Sequence, residues 1–258
     1  MKTFVSALLA ATLLAAPCAF AAEGSSRLDQ IIERKGLNVC TTGDYRPFSY
    51  RADDQGEFVG IDIDLARSLA KSLDAEPVFV PTKWSDLLAD FSAKCDVALS
   101  GISVTLPRQR QVAFSQMYLV NGKAPIVRCE DVSKYQSVAA IDQPGTRVVV
   151  NPGGTNEKFA RANFTKAEIR LFPDNRVIFK EILEGRADVM VAESVEVKLQ
   201  EKLHPGLCAV NPDQPLQYGE MGIMLPRGDV AFKAYVDQWL HLAKATGEFD
   251  RIVDANMK

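Results

Sequence analysis

Short apolar runs alternate with longer amphipathic stretches along most of this chain, and few architectures satisfy that order. A helix-like stretch at 28–35 ends at Gly36, and residues 37–41 then read as a strand. Residues 62–73 read as a helix, with Ile61, Leu65, Leu69 and Leu73 on one stripe. A strand at 77–80, a helix at 84–92 and a strand at 96–101 follow. Further strands at 147–150, 169–172 and 188–192 alternate with helices beginning at Glu157 and Asn175. Strand–helix–strand order implies mostly parallel sheets flanked by helices on both faces, an α/β fold. Residues 118–127 look like an extended crossing between two lobes, and 216–226 like the return, followed by an amphipathic helix at 230–245. The expectation is a first lobe of 23–119 completed by 217–258, a second lobe of 120–216, and a cleft between them. No internal repeat or low-complexity segment interrupts the pattern.

The first residues carry the marks of export. Lys2 supplies a positive start, residues 5–16 an apolar core, and Ala19-Phe20-Ala21 a small-residue cleavage pattern, with cutting after Ala21 or Ala22. The apolar run is too short and alanine-rich for a stable span, and Pro17 before Cys18 does not suit a lipidation site. Soluble export to the periplasm without membrane insertion is expected. A net charge of −3 with no basic face argues against nucleic acid. An exported chain can hold disulfides. Of five cysteines, Cys129 and Cys208 flank one central segment and are expected to pair. Cys40 lies inside one strand and Cys95 just before another. In parallel neighbours that offset exceeds the roughly 7 Å Cα limit for a bridge, so both are expected as buried free thiols.

In open α/β sheets a ligand sits beyond the carboxyl ends of the strands. Four polar or glycine-containing segments occupy such ends: Thr42-Gly43-Asp44-Tyr45, Ser100-Gly101-Ile102-Ser103, residues 151–156, and Ala192-Glu193-Ser194-Val195-Glu196. In Asn151-Pro152-Gly153-Gly154-Thr155-Asn156, two glycines and a threonine at a strand-to-helix junction suit a small anion. Neither a Walker lysine nor GxGxxG is present, so a carboxylate fits better than a nucleotide phosphate. Arg108, just after the Ser100 and Ser103 loop, suits bidentate carboxylate recognition, and Lys123 in the crossing could supply a second cation. Glu193 and Glu196 are three apart and would share the first turn of a helix. Either the helix dipole keeps both ionised, or a dry cleft raises one pKa until it can donate a proton near neutrality. Trp84, Tyr45 and Phe48 could line an aromatic pocket or simply pack the core. Asp62 and Asp64 are read as a helix start. His204 and His241 lack partners for a hydrolytic triad or metal site, so no metal and no cofactor is expected.

Gly43-Asp44-Tyr45-Arg46-Pro47-Phe48, Gly60-Ile61-Asp62-Ile63-Asp64-Leu65-Ala66, and Ser100-Gly101-Ile102-Ser103-Val104-Thr105 with Arg108 and Phe114-Ser115 resemble the polar amino-acid-binding family of periplasmic solute-binding proteins, over nearly the whole mature chain. The resemblance implies the two-lobed type II periplasmic binding fold. The long motif at 151–163, Arg108-Gln109-Arg110-Gln111, Pro173-Asp174-Asn175 and Leu203-His204-Pro205 are similar to an enzymatic branch on that fold, the periplasmic cyclohexadienyl dehydratases. These convert prephenate to phenylpyruvate and arogenate to phenylalanine. The resemblance implies that Arg108 and the Gly154-Thr155 loop hold the substrate's side-chain carboxylate. Asn151 and Lys123 would line the pocket, and Glu196 would be the general acid. Three departures stand out: Glu193 where relatives usually carry Asp, a return segment at 218–223 closer to the binders, and an end at Lys258 without the dehydratases' aromatic tail. Two other expectations compete. One is an amino-acid carrier feeding an ABC permease, with Arg108 and Glu193 gripping the ligand. The other is a sensing module that contacts a membrane receptor. A homo-oligomer is compatible with any of them.

Overall fold

The computed structural model describes residues 25–258, so the expected signal segment lies outside the described residues. The chain opens with helix α1 (Arg27–Arg34), strand β1 (Gly36–Thr41) and a hairpin of β2 (Asp44–Tyr45) and β3 (Ser49–Tyr50). Helix α2 (Ile61–Ser72), β4 (Glu76–Pro81), α3 (Leu87–Lys94), β5 (Val97–Ala98), α4 (Leu106–Gln109) and β6 (Ala113–Phe114) follow. The long β7 (Leu119–Arg128) crosses to a second unit. That unit holds α5 (Val138–Ile141), β8 (Arg147–Val150), α6 (Thr155–Asn163), β9 (Glu168–Leu171), α7 (Phe179–Leu183), β10 (Val189–Glu193), α8 (Ser194–Leu203) and β11 (Leu207–Ala209). β12 (Gln217–Met221) and β13 (Met224–Leu225) return, and α9 (Val230–Ala245) and α10 (Glu248–Asn256) close the chain on the first unit.

The first sheet runs β4-β1-β5-β13-β6 and the second β11-β7-β10-β8-β9, with β12 also on β7. Pairing is parallel across β4-β1-β5 and across β10-β8-β9, where strand–helix–strand connections build the sheet. It turns antiparallel wherever the crossing and return strands join: β7 against β10, β11 and β12, and β13 against β5 and β6. The sheets are therefore mixed, because a chain that crosses once and comes back adds strands of reversed direction.

The expected stripe on α2 holds. Ile61, Leu65, Leu69 and Leu73 are all buried in the core of the first unit, against Val39, Val97 and Leu240. Full burial of each aliphatic side chain is worth about 1.5–3 kcal/mol. Asp229 docks the ends of the first unit together. It caps α9 by accepting from the Phe232 N–H and also accepts from the Ser26 hydroxyl and the Arg27 N–H of α1. Helix α3 begins at Leu87, three residues later than its periodicity suggests, which leaves Trp84 in a turn with its ring free to face the cleft. The β2–β3 hairpin and α4, α5 and α10 escape the sequence pattern, most of them being too short to show a period.

The expected Cys129–Cys208 bridge is present, with Cα atoms 4.8 Å apart, where β11 pairs with the end of β7. The expectation for the other two cysteines fails: Cys40 and Cys95 are also bridged, at a Cα separation of 5.7 Å. A strand offset would have kept them apart within one sheet plane. Cys95, however, is the C-terminal cap of α3, and that helix packs over β1. The bridge therefore runs between layers, from the helix end down to the sheet, rather than along the ladder. It joins positions 55 residues apart, so removing it with Cys40→Ser and Cys95→Ser should cost about 4 kcal/mol by loop closure. Denaturant titration of the double variant checks this; an unchanged midpoint would contradict it.

Candidate active site

The four strand-end segments meet. Tyr45, Trp84, Gly101, Ser103, Asn151, Gly154, Thr155, Asn156, Asn175 and Glu193 surround a tight cavity of about 20 Å³ between the two units. It adjoins an open cleft of about 600 Å³ reached past Asp44, Trp84 and Asn175. Two glycines permit the close approach. Gly101 has φ +62°, and a Cβ there would stand 2.5 Å from the Tyr45 ring. Gly153 has φ +84°, and a Cβ there would stand 2.6 Å from the Ser85 backbone nitrogen across the cleft. Trp84 meets the Tyr45 ring edge-on at 5.7 Å and donates its indole N–H to Asp44 at 3.1 Å.

A buried ion pair organises one wall. Lys123 of β7 stands opposite Glu193 of β10 in register, and its ammonium donates to Glu193 Oε1 at 2.6 Å. It also donates to Asn156 Oδ1 at 2.6 Å and Thr155 Oγ1 at 2.9 Å, which uses all three of its protons. The Ser103 hydroxyl donates to the same Glu193 oxygen at 2.8 Å. Arg108 sits just behind this wall, buried, with one guanidinium N–H donated to the Ser103 carbonyl at 2.8 Å. Burial pulls its pKa down to about 10, against the opposing pull of Glu193, so it stays cationic at neutral pH. Ser100 faces away from the cavity: its hydroxyl lies 2.7 Å from that of Thr42 and braces the Thr42 turn.

Glu193 ends β10 and does not share a helical turn with Glu196, because its pairing with Lys123 carries the strand one residue further than expected. Glu196 alone lies in the first turn of α8. The residue is 1% exposed and lines an adjoining recess of about 260 Å³, with Asn175 common to the recess and the cavity. Burial is the main force lifting its pKa well above the ordinary carboxylate range. The Glu193 charge adds to this, Asp44 adds further, and Lys123 opposes. Desolvation thus dominates the surroundings of Glu196 and favours its protonated form. Tyr45 is pushed the same way, by burial first and then by Glu196 and Glu193.

Four buried polar atoms at this place find no hydrogen-bond partner: Tyr45 Oη, Asn151 Oδ1, Asn175 Oδ1 and Glu196 Oε2. Unpaired buried polar groups are rare and costly in folded proteins, so three around one cavity and a fourth in the adjoining recess mark a surface shaped for a polar ligand. Asn156, Asn175 and Asp44 belong to this site and were not singled out among the candidates. Each sits within a motif quoted above, but loop asparagines carry no periodic signal. Among the described residues no cluster of His, Cys, Asp and Glu could hold a metal ion.

Behind the site, Asp62 is fully buried and accepts from the Gly101 N–H at 2.6 Å and the Tyr118 hydroxyl at 2.9 Å. It ties the Gly101 turn to the start of the crossing. Burial raises its pKa from 3.8 to about 7. A carboxyl with a raised folded-state pKa contributes stability below its unfolded value and loses it as pH rises to the folded value. Wild-type stability should therefore fall between about pH 4 and 7 relative to Asp62→Asn, by on the order of a few kcal/mol. Melting curves of both proteins across that range check this, and parallel pH profiles would refute it.

Residues 37–258 match the family model of bacterial extracellular solute-binding proteins, family 3. A cyclohexadienyl dehydratase of Pseudomonas aeruginosa is 52% identical over 247 residues, which cover 95% of this chain and 91% of that protein. The crystal structure of an ancestral cyclohexadienyl dehydratase is 48% identical, with a TM-score of 0.57 over 91% of this chain and 97% of that one. The crystal structure of an ancestral amino acid-binding protein, a precursor of cyclohexadienyl dehydratase, is 34% identical with a TM-score of 0.83, over 90% of this chain and all of that one.

Proposed function

This chain belongs to family 3 of the bacterial extracellular solute-binding proteins, and on that footing we propose that it acts as a cyclohexadienyl dehydratase. The reaction is the decarboxylating dehydration of prephenate to phenylpyruvate, of arogenate to phenylalanine, or of both. The observation that carries this reading is Glu196: a buried carboxyl whose burial favours the protonated form, with one oxygen free of any partner. A carrier gains nothing from such a group, whereas a dehydratase needs a proton donor at the departing hydroxyl.

Glu196 delivers its proton to the ring hydroxyl, the C–O bond breaks, and water leaves. The electrons of the bond to the ring carboxylate become ring π electrons as carbon dioxide departs. Aromatisation supplies the driving force, so neither a nucleophile nor a metal takes part. We assign Arg108 and the Gly154-Thr155 loop to the side-chain carboxylate. Lys123 and Asn151 are assigned to the field around the ring carboxylate, and Tyr45 and Trp84 to the ring faces. The cavity fixes the relative geometry of the departing groups. We place the lobe boundaries at 23–119 with 217–258 and at 120–216. We also take the chain to be exported to the periplasm, with its leader cut after Ala21 or Ala22.

The test is the mature protein mixed with prephenate at neutral pH, with phenylpyruvate followed by its absorbance in base. Catalytic product formation above the acid background supports the reading. The 34% identical ancestral amino acid-binding protein favours one other reading, a carrier of an ABC transporter. No turnover together with a thermal shift from an amino acid would establish that reading instead.

A further inference from the structure

The proposed reaction has a proton balance that the site must meet. A prephenate dianion becomes a phenylpyruvate monoanion, carbon dioxide and water, so each turnover consumes one proton. Glu196 supplies it and is left as a carboxylate, buried and facing the Glu193 charge. It must regain a proton before it can act again.

The recess of about 260 Å³ on the α8 side of Glu196 shares Asp44, Asn175 and Arg176 with the outer cleft but only Asn175 with the substrate cavity. It therefore offers a route to Glu196 that does not pass through that cavity. Its inner end is Glu196, and Gln200 follows one helical turn further on the same face of α8, 6% exposed. Leu203, 38% exposed, and His204 complete that wall toward solvent. The His204 ring stacks on Phe179 at a centroid distance of 6.2 Å. Tyr45 lines the substrate cavity and not the recess, and Asn175 is the residue that the two share. The charges at the inner end are mixed. Lys123 of β7 and Glu193 of β10 act on Glu196 from the cavity side, while Asp44, Arg46 and Arg176 line the recess itself. Arg176 is paired with Asp174 and, at 3.5 Å, with Asp54. No single sign dominates the passage and bars a proton from it.

We propose that Glu196 is recharged with a proton from solvent through this recess, along the Glu196–Gln200–His204 face of α8, rather than through the substrate cavity. The inference rests on the dehydratase reading. Gln200 is a positioning residue here, holding the inner end of the passage polar, and Leu203 guards its mouth.

Comparing single-turnover with multiple-turnover rates on prephenate isolates the recharging step. Gln200→Leu dries the inner end, and Leu203→Trp fills the mouth from a half-exposed position that does not threaten folding. With enzyme in excess, each Glu196 acts once on its resident proton, and both variants should stay within about twofold of wild type. With substrate in excess, both should fall about tenfold or more, and small weak acids such as formic acid and imidazolium buffers should restore the rate. Variants that keep the wild-type multiple-turnover rate overturn the inference, as do variants that lose both rates equally. An active wild type with such variants sinks this inference alone. A wild type that does not turn prephenate over sinks the dehydratase reading with it.

Discussion

Glu196→Gln is expected to lower turnover of prephenate by about 10²- to 10⁴-fold, the range for losing a positioned general acid. The amide keeps the shape and volume of the carboxyl, and Arg108, Lys123 and the Thr155 turn are untouched, so substrate affinity should change little. That split between kcat and binding is the signature of a group that acts in the transition state alone. The same substitution should not destabilise the fold at neutral or alkaline pH. Glu196 has a raised folded-state pKa, so its contribution to stability is lost as pH rises above the ordinary carboxylate value. A neutral amide escapes that loss, and the variant should match or exceed wild type at pH 8. Rate constants, ligand affinity and melting temperature measured on one preparation separate the possibilities. Lost activity with a lowered melting temperature would point to damage rather than chemistry. Retained activity would remove Glu196 from its role.

Much of this arrangement is legible in the residues themselves, for physical reasons that differ by element. The α2 stripe declares itself because a buried helix face must repeat its apolar residues every three to four positions. The strand-end loops declare themselves because an α/β sheet gathers its ligands at one edge. The Cys40–Cys95 bridge stays hidden because strand offset describes distance within a sheet plane, and Cys95 belongs to the layer above. Glu193 and Glu196 look equivalent in sequence. The structure separates them by one residue of strand pairing, which gives Glu193 a cation and leaves Glu196 without one. Asn175 and Asn156 leave no trace in periodicity or charge. Their importance comes from where a loop carries them, and loop paths are set by tertiary packing rather than local preference.

That separation of the two glutamates makes Lys123 the other position with a large expected effect. Its ammonium donates three hydrogen bonds, to Glu193, Asn156 and Thr155, and its side chain is only 7% exposed. Lys123→Met keeps the length of the side chain and removes the charge. Glu193 is then a buried carboxylate holding only the Ser103 hydroxyl, and losing one partner of a buried pair costs about 3–5 kcal/mol. Stability should fall by that order, and activity should fall with it, because Thr155 and Asn156 lose the donor that orients them. Adding Glu193→Gln removes the stranded charge. Because buried pairs and neutral replacements differ little in net stability, the double variant should regain most of the lost stability. It should not regain activity, since the cation assigned to the ring carboxylate stays absent. Denaturant melts of wild type, both single variants and the double variant form the cycle that checks this. A double variant no more stable than Lys123→Met would mean that the lysine acts through its contacts with Thr155 and Asn156 rather than by neutralising Glu193. A double variant with restored turnover would mean that the site needs no cation at that position.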